Sequence, residues 1–104
     1  MTRVVFAETA RGDLEDIIDY IALDNIAAAE RVYRRVIETA GQLAQFPNLG
    51  RPGRVPGLRE LVVSGLPYLI AYDTGRGVVT VIAVFHTSRD LARALAERGP
   101  GPTS

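Results

Sequence analysis

The sequence predicts an α+β domain. An antiparallel β-meander follows a single N-terminal strand and an α-helical hairpin, in the order β-α-α-β-β-β, with the hairpin packed on one face of the sheet. Three observations carry this expectation. Residues 58–86 hold three runs rich in Val, Ile, Leu and Tyr, separated by short Gly/Pro turns. Residues 8–45 change to a spacing of three and four between apolar positions. One short break, Asp24-Asn25, divides that helical stretch in two.

Residues 2–7, TRVVFA, are β-branched and aromatic and read as the first strand. From Glu8 to about Asp24, Leu14, Ile17, Ile18 and Ile21 line one helical face, and Glu15, Asp16 and Asp19 the other. Asn25 is suited to cap a second helix running to about Gln45. Ala29, Val32, Tyr33, Val36, Ile37, Ala40 and Leu43 form its expected buried stripe. So short a break makes the two helices an antiparallel hairpin, and Pro47 stops the second. Residues 46–57, FPNLGRPGRVPG, hold three prolines and three glycines. They read as a shaped loop bearing Arg51 and Arg54, not as helix or inner strand. The meander strands are residues 58–63, Tyr68–Asp73 and Val78–His86. Ser88 is placed to cap a short helix ending near Arg98, and residues 99–104, GPGPTS, read as a disordered tail. Residues 1–98 thus form one domain.

Strict alternation assigns the faces of the sheet. Val79, Val81, Ala83 and Phe85 point one way in the last strand, and Val78, Thr80, Ile82, Val84 and His86 the other. In the middle strand Tyr68, Ile70 and Tyr72 oppose Leu69 and Ala71. Both faces are apolar, so both need cover. The hairpin covers one. The other has only the C-terminal segment, with Leu91, Leu95 and alanines. The expectation is a partner chain seated on Leu69, Ala71, Ile82 and Val84.

Composition narrows the chemistry. The 104 residues contain no cysteine and one histidine, so disulfides, a thiolate metal site and a histidine metal site are not expected. No metal and no cofactor is anticipated. No apolar run is long enough to span a membrane and the N-terminus lacks a signal-peptide pattern, so the expected location is cytoplasmic. Net charge is zero, with twelve arginines, twelve acids and no lysine. That balance argues against tight nonspecific nucleic-acid binding, and no sequence-specific contact is expected. Residues 46–104 are nonetheless basic, with seven arginines against four acids.

Several short motifs occur in order along residues 3–90. They are Asp13-Leu14, Tyr20-Ile21-Ala22, Asp24-Asn25, Ala28-Ala29 with Arg31, Phe46-Pro47 and Gly50-Arg51-Pro52. Then come Arg59-Glu60-Leu61-Val62, Pro67-Tyr68 with Ile70 and Tyr72, Val84-Phe85-His86 and Arg89-Asp90. The set resembles the ParE/RelE toxin superfamily of type II toxin–antitoxin systems, and is closest to ParE-type toxins. Two starts differ: Ala7-Glu8 stands where the family often has Ser-Pro, and Asn25-Ile26 where it often has Asn-Pro. The resemblance implies an antiparallel sheet with a helical hairpin on one side. It also implies a cognate ParD-like antitoxin whose C-terminal segment wraps the toxin in a hetero-oligomer. RelE-like members cut mRNA on the ribosome, and ParE-like members inhibit DNA gyrase.

The residues favour the second activity. RelE-like nucleases carry an arginine for the scissile phosphate in the strand where this chain reads Tyr68-Leu69-Ile70-Ala71-Tyr72. Leucine cannot stabilise a charged phosphorus centre. A nuclease reading would need Glu60 as base, His86 as acid, and Arg59 or Arg89 as phosphate clamp. The preferred reading is a binding-type gyrase inhibitor without catalysis, contacting its target through Arg51, Arg54, Arg59, His86 and Arg89. The alternatives are a RelE-like endoribonuclease and an interaction domain that keeps the fold without toxicity. Each candidate also has a plain structural role. His86 suits a hydrogen-bonded strand end, the arginines a solvated loop, and Tyr68 and Tyr72 core packing. Gly75-Arg76-Gly77 precedes no helix, so it is not a phosphate loop.

Overall fold

A computed structural model describes residues 1–88. Of the expected helix over residues 88–98 only Ser88 is among them, and the tail over 99–104 and the candidate Arg89 lie outside. The order is β1 (Arg3–Phe6), α1 (Glu8–Ala22), α2 (Ile26–Gly41), β2 (Arg51–Pro52), β3 (Arg59–Val62), β4 (Tyr68–Asp73) and β5 (Val78–His86). The strands form one five-stranded sheet in the order β1-β5-β4-β3-β2. The meander β3-β4-β5 is antiparallel as the sequence implies. β1 lies beside β5 and parallel to it, so the sheet as a whole is mixed. The two-residue β2 is an addition from the proline-rich loop. It sits at the sheet edge, where Pro52, lacking an amide hydrogen, is tolerated.

Helix boundaries follow the sequence signals. The Asn25 side chain accepts a hydrogen bond from the Ala28 amide at 3.0 Å and caps α2. α2 ends at Gly41, earlier than expected, and tightens into a 3₁₀ turn over Gln42–Ala44 that still buries Leu43 completely. The main core joins Ala10 and Leu14 of α1, Val32, Val36 and Ala40 of α2, and Val63, Ile70, Tyr72, Val79, Val81 and Val84 of the sheet. Ile17, Ile18 and Ile21 pack against it half-buried. No helix among the described residues is long and apolar enough to cross a membrane.

The alternation expected of β5 fails at one residue. Ala71 pairs with Ala83 but Tyr72 pairs with Val81, which leaves Ile82 as the extra residue of a β-bulge. Val79 and Val81 therefore face the helices, and beyond the bulge Val84 does so too. Ala83 and Phe85 join Leu69 and Ala71 in a second cluster on the outer face. Val84 is thus not an outer-face residue. The bulge has a local cause. β1 pairs with β5 only as far as Phe6 against Val81, where α1 takes over. Side chains of α1 then satisfy the β5 backbone. The Thr9 hydroxyl donates to the Ile82 carbonyl at 2.8 Å, and the Val84 amide donates to the Asp13 carboxylate at 3.0 Å.

The outer face is not an open apolar surface. Leu69, Ala71, Ala83 and Phe85 are all buried within the chain. The expected partner site on Leu69, Ala71, Ile82 and Val84 therefore does not exist as one face. Ile82 sits at the bulge, Val84 faces the hairpin, and Leu69 and Ala71 are buried.

Candidate functional site

The loop over residues 46–58 is shaped by two buried side chains that reach it from the sheet. Tyr72 on β4 is completely buried. Its hydroxyl donates to the Pro47 carbonyl at 2.8 Å and accepts from the Gly50 amide at 2.9 Å. On β3, the Glu60 side chain is only 2% exposed, yet it is charged and needs partners. The Arg54 amide donates to Glu60 Oε2 at 3.0 Å, and Arg54 Nε donates to the same atom at 3.3 Å. Arg54 Nη2 and Arg51 Nη2 approach Oε1 at 3.4 and 3.5 Å.

The sequence of the loop fits these anchors. A Cβ at Gly50 would lie 2.7 Å from the Glu60 carbonyl and 2.8 Å from the Tyr72 hydroxyl. One at Gly53 would lie 2.9 Å from the Leu58 carbonyl and 3.2 Å from the Glu60 carboxylate. Only glycine permits both approaches. Burial pushes the Glu60 carboxyl up. The Arg54 amide, the Arg54 guanidinium and Arg51 together outweigh it and hold the group below its ordinary value of 4.5.

The candidate residues separate accordingly. Arg51 and Arg54 come together on Glu60 with side chains 69% and 49% exposed, so both still present N–H groups to solvent. Arg59 is turned inward, and its Nη1 donates to the Gly50 carbonyl at 2.7 Å. His86 stands at the far end of the meander, paired with Tyr68, and their rings meet edge-on at 5.5 Å. The Ser88 amide donates to His86 Nδ1 at 3.2 Å, and the Ser88 hydroxyl lies 2.7 Å from the same atom. His86 is thus an exposed, hydrogen-bonded residue at a strand end.

Glu60 and His86 are not brought together. Glu60 pairs with Ala71 beside the outer cluster, whereas His86 extends the helix-side set of Val84. They lie on opposite faces, two strands apart and three residues apart along β4, which is on the order of 10 Å in each direction. Proton transfer needs hydrogen-bond reach to one substrate. Leu69 lies in the outer cluster and brings no charge. Among the described residues, no three His, Asp or Glu side chains gather in a group able to hold a metal ion.

A second surface escaped the sequence reading. Tyr33 and Ile37, expected in the core, are 51% and 39% exposed. With Ile18 and Ile26 they line an apolar groove along the hairpin that continues to Val4 and Phe6 of β1. The available signal was width. Tyr33, Ile37, Ile26 and Glu30 occupy a helical flank beside the Val32–Val36–Ala40 row, and one sheet face cannot bury both rows.

Comparison with known proteins agrees with the fold. A family model described as ParE toxin of type II toxin-antitoxin system, parDE, matches residues 4–91. "Putative toxin Y4kP" of Sinorhizobium fredii is 38% identical over 82 residues, covering 79% of this chain and 84% of its own length. Toxin RelE2 of Caulobacter vibrioides is 38% identical over 89 residues, covering 86% and 99%. A solved chain titled as the chromosomal ParDE TA system from P. aeruginosa superposes with a TM-score of 0.75 at 25% identity, covering 83% of this chain and 96% of that one. That likeness extends to the α+β fold of two helices on a mixed sheet. The chain belongs to the ParE toxin family of type II toxin–antitoxin systems.

Proposed function

We propose that this toxin inhibits DNA gyrase by binding it and catalyses no reaction of its own, and that a ParD-like antitoxin neutralises it. The observation that carries the reading is the placement of Glu60. The carboxylate nearest the arginine-rich loop is buried, saturated with arginine and amide donors, and on the other face of the sheet from the sole histidine. A buried ion pair of this kind anchors a loop and occupies Glu60, so that this carboxylate is not a free base for RNA cleavage. Family membership supports the same class of action.

The groove along α1 and α2 suits the antitoxin better than the sheet's outer face does. Its floor is apolar, and its rim carries Glu15, Asp19, Glu30 and Glu38 against Arg11 and Arg34. That excess of acid fits an amphipathic antitoxin helix with basic residues flanking its apolar stripe. The test is a supercoiling assay with purified gyrase and relaxed plasmid. Rising amounts of the toxin should inhibit supercoiling in a saturable way, and stoichiometric ParD-like antitoxin from the neighbouring reading frame should restore it. Undiminished supercoiling at a large molar excess of folded toxin contradicts the proposal.

A further inference from the structure

The loop that Glu60 and Tyr72 hold in place presents a mixed apolar and cationic surface. Phe46 and Leu49 are about half exposed, as is Val62 on β3. Extending the pairing of Arg51 with Glu60 by two residues sets Leu49 opposite Val62. Leu49 and Val62 therefore lie along the same sheet edge as Arg51 and Arg54. The Leu49 amide donates to the Phe46 carbonyl at 3.0 Å, which ties the exposed Phe46 to them. Arg54 commits two of its five side-chain N–H groups to Glu60, and Arg51 commits one. Two guanidiniums against one carboxylate leave this edge with a net positive charge. An exposed aromatic side chain beside arginine is the composition enriched at protein-binding interfaces, and the two aliphatic side chains widen the apolar patch around it. Tying a loop down from both faces of the sheet removes the ordering cost at the moment of contact.

We infer that residues 46–54, with Val62, form the surface by which this toxin grips its target, and that Glu60 is the positioning residue that holds it in shape. The inference rests on the binding-type reading above. The feature it fits is an acidic protein surface beside an apolar socket. Three arginines against one acid over residues 46–60 leave two excess positive charges, one of them the Arg59 guanidinium turned onto the Gly50 carbonyl. That is too few for a nucleic-acid backbone, where affinity comes from neutralising several phosphates.

The test uses the full chain with two potency readouts: growth arrest on induction in cells, and inhibition of purified gyrase. Phe46→Ala, Leu49→Ala and Arg51→Ala change exposed side chains, and each should weaken potency by about 10- to 100-fold with the melting transition retained. Glu60→Gln keeps the arginines and the side-chain shape. It should weaken potency about tenfold and turn the Arg54 amide from protected to fast-exchanging, while amides of α2 stay protected. Should Glu60→Gln fail to fold, Tyr72→Phe loosens the same loop from the other face and is read the same way, through the Gly50 amide. If the wild-type chain arrests growth but spares gyrase, the gyrase assignment falls and the variants are scored on growth arrest alone. Unchanged potency in the three surface variants overturns the inference. So does a freely exchanging Arg54 amide at full potency, or duplex DNA binding as tight as gyrase binding.

Discussion

Glu60 holds the arginine-rich loop against the sheet through the Arg54 amide, two Arg54 side-chain nitrogens and Arg51. In the sequence it is a polar position in a strand next to Arg59, and it reads as a free carboxylate available for acid–base work. In the structure it is the buried centre of a small polar cluster. A hint was present: residues 46–60 hold three arginines and one acid, so that acid has cationic neighbours whatever the loop does. The approach of Gly50 and Gly53 to the anchors was not visible, because contacts across a loop leave no period. The carboxyl is held below 4.5, so its stabilising contribution is complete above that pH and is lost as pH falls through the lower folded-state value. Thermal melts from pH 7 downward should show a loss of stability below about pH 4.5 that Glu60→Gln lacks. Tyr72→Phe removes one hydroxyl but orphans both the Gly50 amide and the Pro47 carbonyl. It should cost about 1–3 kcal/mol in a denaturant titration.

At the scale of elements, strand and helix positions follow from the sequence because periodicity and caps are local. β4 and β5 begin and end where the turn residues place them, and Asn25 caps α2 as its side chain allows. The bulge at Ile82 does not follow, since a pattern of Val, Ile and Ala reads alike in either register. Its consequence was large: it exchanged Val84 with Ala83 and Phe85 between the two faces. Asp13 belonged to the motif set, but its work in receiving the Val84 amide required α1 to lie along β5 beyond the end of β1. Asp13→Ala should cost about 1–3 kcal/mol by leaving that amide unpaired, measured by chemical denaturation. Val36 is fully buried between hairpin and sheet, and Val36→Asp should abolish soluble expression. Ile17 is half-buried, so Ile17→Asp should leave a folded protein with a lowered melting temperature. Equal, wild-type stability of both variants would contradict the helix faces described above.

Among the described residues, apolar side chains of the sheet are buried on both faces, and exposed apolar surface lies along the hairpin groove and the β2 edge. The two surfaces suit separate partners, one inhibitory and one targeted. Tyr33→Asp should therefore fold normally and arrest growth, but resist neutralisation by co-expressed antitoxin. Rescue equal to wild type would count against the groove. The α+β architecture and the family could be read from the sequence because many short signals agree in order. The target could not, since a binding surface of this kind is assembled from a loop edge and has no motif. The most direct test compares two reactions side by side with the same purified toxin: supercoiling by gyrase, and integrity of mRNA on programmed ribosomes. Inhibited supercoiling with intact mRNA is the result expected of a molecule whose Glu60 and His86 stand on opposite faces of the sheet. Cleaved mRNA with unaffected gyrase, abolished by His86→Ala, would contradict it.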